Sequence, residues 1–302
     1  MSNGHITTIY YDIDNFFKFV AQSSFPRLSV SNGVRRVRQP DLCPSEVMTI
    51  LVWFHHAGYR RFKQYYQECV ASTLNKEFPC LPSYTRFIEL AERVVIPLGM
   101  FLTTRYGQCT GISFIDSTAL DVCQNQRISQ HKVFKGLAAR SKTSTGWFYG
   151  FKLHLAVNER GELLGVKFTT GNVDDRTGSV IDTLTKNLWG KLIADKGYLS
   201  KSLFDDLYAR GIELITKVKK NMANKIMPMM DKKLLRKRAL IGCVIDALKN
   251  QCQIEHSRHR SVWGGITTIL PGLVMCTYLP KKPSLRFNQQ ERQALDLIQR
   301  AQ

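Results

Sequence analysis

Two short apolar runs each end at an aspartate: GISFIDST carries Asp116 and KLIADKGY carries Asp195. Runs of this length suit strands buried on both faces and are short for a helix. The residues between them fix what kind of sheet they join. Segments 151–157 and 163–169 are rich in β-branched and aromatic residues and are joined by Glu159, Arg160, Gly161 and Glu162, a hairpin signal. Segment 173–188 has the spacing of a helix. After Asp195, residues 200–210 read as a helix capped by Ser200 and stopped by Gly211, 213–218 as a strand, and 232 to about 252 as a long basic helix. The order strand, hairpin, helix, strand, helix, strand, helix predicts an α/β fold, a mixed sheet with helices on its faces.

The part before Gly111 is different. Ile6, Ile9, Ile13, Phe16, Phe17 and Val20 recur at helical spacing, and Asp12 and Asp14 fall on the polar side of that helix, so this D-x-D is read as structural. Residues 21–42, rich in Ser, Pro and Arg, read as a loop. Pro44, Ser45 and Glu46 open a second helix that runs through Val47, Ile50, Leu51 and Phe54 until Gly58. A basic-aromatic helix follows over 60–70, with Arg60, Arg61, Lys63, Tyr65 and Tyr66. A helix, a glycine turn and a basic helix are compatible with a helix-turn-helix, as with any helical hairpin. Another helix is expected over 83–95, closed by Pro97. The expected division is an all-α N-terminal domain over 1–108, an α/β domain over 109–280 and a polar tail over 281–302.

Charge narrows the partner. The 302 residues hold 43 Lys+Arg against 24 Asp+Glu, a formal net charge of +19, on a chain that is 44% hydrophobic and so able to bury a core. Such an excess on a foldable chain calls for a polyanion, and nucleic acid comes first because neutralised phosphates release counterions. An anionic membrane is the competing partner. No apolar run is long enough to span a bilayer, and the N-terminus lacks a signal-peptide layout, so no membrane role and a cytoplasmic location are expected. The eight cysteines are scattered without a CxxC pair, which predicts free thiols. Cys252, His256 and His259 lack the paired-cysteine spacing of a zinc site.

An acid at the end of a buried strand points out beside the next element. Two such strands side by side would put Asp116 and Asp195 within reach of one ion. Carboxylates are hard oxygen ligands that suit Mg²⁺ or Mn²⁺, and metal pairs in such sites serve phosphodiester chemistry. Taken singly, each Asp has a bland alternative as a turn or cap residue. Lys196 and Tyr198 follow Asp195 closely, and Lys196 is a candidate phosphate contact. So are Arg236 and Arg238 on the basic helix and Arg258 and Arg260 beyond it. Trp147, Phe148 and Tyr149, just before the strand at 151, are expected to pack in the core rather than to stack on DNA bases.

The strand and helix order is also that of an RNase H-like domain. FIDST, QHKVFKGLAARSKTSTGWFYGFKLHL, GNVDDR, LIADKGYLS, LITKVKKNM and QIEHSRHRS, in that order, resemble bacterial insertion-sequence transposases of the 982 family. SEVMTILVWFHHAGYRRFKQYY and PKKPSL extend the resemblance over essentially the whole chain. It implies a DDE transposase with an RNase H-like core, with Asp116 and Asp195 as the first two acids of the triad. It further implies metal-dependent cleavage at the ends of a mobile element and strand transfer into target DNA. The partners it implies are double-stranded DNA and further copies of the chain, as a dimer or larger assembly at the nucleoid.

One position departs from that family. Its third acid is a glutamate in an Ile-Glu-Thr motif on the long basic helix, and the matching stretch RALIGCVID places Gly242 there. Glycine offers no ligand and weakens a helix by about 1 kcal/mol relative to alanine. Asp246, one turn on, is a short side chain about 6 Å further along. Glu255, about 20 Å along a continuous helix, points elsewhere. Both are weak substitutes. A transposase, an inactivated descendant that only binds DNA, and a nuclease of the same fold are therefore the readings carried forward.

Overall fold

The computed structural model describes residues 4–22, 42–143, 146–217, 227–255 and 259–287, with 289 and 291. The chain divides into two compact units. The first is Met1–Thr104 with Asn250–Ile254 and Val262–Tyr278. The second is Arg105–Lys249 with Glu255–Ser261 and Leu279–Gln302. This differs from the expected division at 108 and 280, because a late segment returns to the N-terminal helices.

The first unit is helical among its described residues. Its elements are α1 (Gly4–Gln22), α2 (Pro44–Phe54), α3 (Phe62–Gln64), which widens into a π-helical stretch (Tyr65–Thr73), α4 (Tyr84–Arg93), α5 (Val95–Thr104) and α10 (Val262–Thr277). Ile6, Ile9 and Ile13 are buried on α1, which packs against α2. Asp12 accepts a hydrogen bond from the Tyr278 hydroxyl, and Asp14 pairs with Lys18. The 60–70 helix begins later and is only partly α-helical. Tyr65 and Tyr66 are buried in an aromatic cluster with Phe54, Phe62 and Phe87, while Arg60, Arg61 and Lys63 stay exposed. Pro97 does not close the segment. It lies in the first turn of α5, where no helical N–H is needed.

The helix α10 was not foreseen. Gly264, Gly265, Pro271 and Gly272 break every propensity signal for a helix there. It packs against α2 and α5, and Gly272 has a packing reason: a Cβ there would collide with Ile254.

The second unit is a mixed sheet with helices on both sides. Strands β1 (Ile112–Cys123), β2 (Ala139–Thr143), β3 (Gly146–Asn158), β4 (Leu163–Thr170), β5 (Gly190–Ile193) and β6 (Ile212–Ile215) form one sheet in the order β2-β3-β1-β5-β6. β4 also pairs with β3, along 151–157, beyond the stretch that pairs with β2. β1 is antiparallel to β3 and parallel to β5, and β5 is parallel to β6. The sheet therefore changes from antiparallel to parallel at β1. Two strands differ from expectation. The basic stretch before 145 contains β2, and β3 starts at Gly146. Val218, at the end of the expected last strand, lies outside the described residues.

The helices are α6 (Gly178–Thr185), α7 (Lys201–Ala209), α8 (Met229–Lys237) and α9 (Ala239–Asp246), the last followed by π-helical turns (Ala247–Gln251). α6 is shorter than the expected 173–188. The Asp174 carboxylate accepts from the Arg176 N–H and guanidinium, which fixes a turn where the helix was expected to begin. The expected single helix from 232 is broken at Arg238 into α8 and α9. One core layer joins Ile115 and Ala156 of the sheet to Val180, Ile181 and Leu184 of α6 and to Leu203 and Leu207 of α7. On α9, Leu240, Ile241 and Val244 are buried, and this helix packs against β1.

Candidate active site

Two glycines set the site. Gly111 (φ 83°) and Gly190 (φ 78°) start β1 and β5 in the left-handed region that favours glycine. A Cβ on Gly190 would stand 2.5 Å from the Gly111 carbonyl oxygen, and a Cβ on Gly111 would stand 2.5 Å from the Trp189 ring. The bare backbones can therefore close up, and the Lys191 N–H donates to the Gly111 carbonyl at 2.8 Å. That contact fixes the parallel register, in which Phe114 lies opposite Ile193. Two residues further along each chain stand Asp116 and Asp195. The short apolar runs are thus adjacent strands. Asp116 is not at a strand end, however. β1 continues to Cys123 because β3 pairs with it beyond that point, while β5 stops before Asp195.

Arg238, at the break between α8 and α9, reaches both carboxylates. Its Nη1 is 3.6 Å from Asp116 Oδ2 and 3.4 Å from Asp195 Oδ1. That nitrogen is buried and makes no hydrogen bond among the described residues. A single positive group thus sits between two carboxylates at ion-pair distance. Burial pushes the Asp116 carboxyl above its usual range. The Ser117 N–H and the Arg238 guanidinium pull it down, and the nearby charges of Asp195 and Asp175 add to the rise.

The helix carrying Arg238 is held by a buried ion pair. Lys191 Nζ on β5 lies 2.5 Å from Asp231 Oδ1 on α8 and 3.2 Å from Glu213 on β6. Asp231 is among the few buried charged residues.

Two neighbours complete the surroundings, Tyr198, which the sequence placed close after Asp195, and Asp175, which it did not single out. Tyr198 is buried with the helix-side core, and its hydroxyl makes no hydrogen bond among the described residues. Burial first, then the charges of Asp175 and Asp116, raises that phenol well above its ordinary value. Asp175 pairs with Lys152 Nζ at 3.1 Å and lies 3.5 Å from Nδ1 of the buried His154. Burial holds His154 below its usual value against the pull of Asp175. The available signal was Lys152 and His154 two apart on one strand, hence on one face, with GNVDDR as the loop facing them.

The remaining sequence candidates are dispersed. Lys196 is exposed at the start of the 3₁₀ turn after Asp195, and Arg236 and Arg260 are exposed. Arg258 lies outside the described residues, as does His256. Glu255 is engaged elsewhere. It pairs with Lys249 at 3.0 Å and accepts from the Asp121 N–H, about 17 Å along β1 from Asp116. Asp246 is exposed at the end of α9. Gly242 is exposed, with open space where a Cβ would stand. It lies one helical turn beyond Arg238, so a side chain there would share the side on which Arg238 meets the carboxylates. Of the expected aromatic trio, Phe148 and Tyr149 are buried, but Trp147 is 53% exposed, a correction to the core reading. It stands near the outer end of β3, opposite Lys142 of the short strand β2.

Among the described residues, no three His, Cys, Asp or Glu side chains form a group able to hold a metal ion. The donor set at the centre is two carboxylates that already enclose one positive charge. That set fits a hard divalent cation held by two protein oxygens, with further positions left to water or substrate. Among the described residues, no helix is long and apolar enough to cross a membrane.

The second unit is thus a mixed α/β domain with an acid pair where its sheet turns from antiparallel to parallel, the class to which transposase catalytic domains belong. Residues 106–262, just over half of the chain, match the family described as Transposase DDE domain, and the chain belongs to that family. No curated protein matches the chain. Among solved structures it is similar to a piggyBac transposase synaptic complex with hairpin DNA, at 9% identity and a TM-score of 0.49, over 97% of this chain and 79% of that one. It is also similar to the Mos1 strand transfer complex, at 10% identity and a TM-score of 0.22, over 95% of this chain and 99% of that one. Both likenesses are too distant to add to the family assignment.

Proposed function

We propose that this chain is a DNA transposase of the bacterial insertion-sequence 982 family, acting on double-stranded DNA in the cytoplasm at the nucleoid. Asp116 and Asp195 are its first two acids, and the third acid is missing at Gly242. The observation that carries the proposal is the convergence of both aspartates on one cation, the Arg238 guanidinium. The strand order supports an RNase H-like core: β4-β3-β1 antiparallel, then β1-β5-β6 parallel.

In this reading Asp116 and Asp195 hold a divalent ion, Mg²⁺ or Mn²⁺. When bound, the ion supplies Lewis-acid activation and charge neutralisation at a phosphodiester. Asp195, on the more open side, faces incoming solvent and DNA. Asp116, more buried and fixed by the Ser117 N–H, sets the geometry. Arg236, Lys196 and Arg260, with Arg258, neutralise DNA phosphates and position the strand without reading its sequence, while Arg238 stays with the two carboxylates until a metal takes its place. Water and then a freed 3′-hydroxyl are the successive nucleophiles, and two element ends call for a dimer or larger assembly.

Gly242 favours a second reading, a catalytically inactive transposase descendant that still binds element ends. The test is Mg²⁺- or Mn²⁺-dependent cleavage of element-end DNA by this protein and by its Gly242→Glu form. Cleavage by the glutamate form alone identifies a decayed transposase with one missing ligand. Equal cleavage by both overturns the assignment of position 242. No cleavage by either, with DNA binding retained, supports the inactive descendant. Cleavage without joining of a 3′-hydroxyl end to target DNA identifies a nuclease instead.

A further inference from the structure

The hairpin formed by β2 and β3 carries a second surface suited to DNA. Trp147 and Lys142 lie directly opposite each other across the two strands, and Arg140 lies opposite Tyr149, two residues along. Side chains alternate along a strand, so Arg140, Lys142, Trp147 and Tyr149 share one face. Tyr149 is buried there, its hydroxyl donating to the Phe134 carbonyl. Trp147 instead stands 53% exposed. The Arg140 guanidinium lies 4.9 Å and Lys142 Nζ 5.9 Å from its ring centroid. Asn125 donates its side-chain amide to the Trp147 carbonyl at 2.6 Å, which pins the strand at that residue. The result is a large, half-exposed π-surface, pinned at its backbone, with two cations over its ring that an incoming strand's phosphates can draw away.

We infer that Trp147 is a stacking platform for an unpaired DNA base, with Arg140 and Lys142 holding the flanking phosphates. An indole offers a π-face to any base, and cations beside it neutralise the strand that carries the base. The position fits the proposed reaction, on which this inference rests. Asp116 pairs with Leu155, and Leu155 and Trp147 are eight residues apart on one strand, an even number. The carboxylate and the indole therefore lie on the same side of the sheet, at most about 27 Å apart along β3. At about 3.4 Å per nucleotide that is roughly eight nucleotides of one strand. A base frayed or extruded from an element end, within that reach of the acid pair, is the ligand the exposed indole would take.

The test compares binding of a blunt duplex with the same duplex carrying one unpaired thymine, by fluorescence anisotropy at two salt concentrations. The wild-type protein is expected to prefer the DNA with the unpaired base by about ten-fold, the scale of one base stacked on an aromatic side chain. Trp147→Leu is expected to bring that ratio to about one. Trp147→Phe, which keeps a ring, is expected to retain most of it. Stacking is not a counterion effect, so the ratio should persist at the higher salt, whereas binding to both DNAs should weaken. Arg140→Gln with Lys142→Gln should weaken binding to both DNAs and flatten the salt dependence. A wild-type ratio of one, or an undiminished ratio in Trp147→Leu, overturns the inference and leaves the transposase reading standing. A protein that binds neither DNA overturns both.

Discussion

Replacing Arg238 with methionine removes the positive charge between the two aspartates and keeps most of the side-chain volume. At 3.4–3.6 Å, each ion pair is worth about 4–5 kcal/mol gross at an effective dielectric of about 20. The groups are not deeply buried: the side chains of Arg238, Asp116 and Asp195 are 29%, 27% and 51% exposed. Screening at such exposure leaves about 1 kcal/mol or less per pair, so the guanidinium is held at the centre by roughly 1–2 kcal/mol. A divalent cation must displace it or share the carboxylates with it. Without Arg238 that cost disappears, and about 1.4 kcal/mol is a tenfold change in an equilibrium constant. The Arg238→Met protein should therefore bind Mn²⁺ about ten-fold more tightly, read by calorimetry or by the loss of the free Mn²⁺ resonance signal. Arg238→Lys, which keeps the charge, should stay near wild type. Asp116→Asn added to Arg238→Met should abolish the gain. Unchanged or weaker Mn²⁺ binding by a folded Arg238→Met protein would refute the idea that the guanidinium and the metal compete for one place.

Three further outcomes follow from separate parts of the fold. Removing one partner of the buried Lys191–Asp231 pair, by Asp231→Ala, should cost about 3 kcal/mol in denaturant unfolding, because the lysine is left without its main counter-charge; a loss below 1 kcal/mol would mean Glu213 suffices. Gly190→Ala should destabilise by more than about 1 kcal/mol, since it combines a left-handed backbone with a collision at the Gly111 carbonyl; a neutral result in thermal melts would show that β1 and β5 can part. His55 is fully buried, its Nδ1 donating to the Cys252 carbonyl, and burial lowers its pKa to about 4. The folded value is below the unfolded one. Its contribution is therefore whole above pH 6.5 and is lost as pH falls from 6.5 to 4, by about 3 kcal/mol at the end. His55→Gln should remove that part of the pH dependence of unfolding, and an unaltered profile would place the acid sensitivity elsewhere.

What the residues revealed in advance was the part governed by local patterns. Asp116 and Asp195 follow short apolar runs whose length suits buried strands, and the structure pairs those strands side by side, in parallel. The Glu159–Glu162 turn declared its hairpin. The failures have equally specific causes. Helix α10 carries three glycines and a proline, and its existence depends on packing that no local propensity records. Strand β2 alternates two basic residues with Ala139, Ser141 and Thr143, and it exists because β3 offers it an edge. Asp175 comes near the acid pair only through folding across the sheet, through Lys152 and His154 of β3, whereas Tyr198 lies within one turn of Asp195 along the chain. Arg238 was read as a phosphate contact from its charge alone. Its place between two carboxylates depends on the break between α8 and α9.

The return of α10 to the N-terminal helices has a consequence for synthesis. The first unit needs residues 250–254 and 262–278, which leave the ribosome only after the whole six-stranded sheet has been made. The helices before Thr104 must wait, with the surface that α10 will cover still open, while a later part of the chain folds first. A protein ended between residues 216 and 261 would retain all six strand segments and both aspartates yet lack α10, a layer of the unit at its beginning. A stop codon late in the gene would therefore do its damage at the front of the molecule.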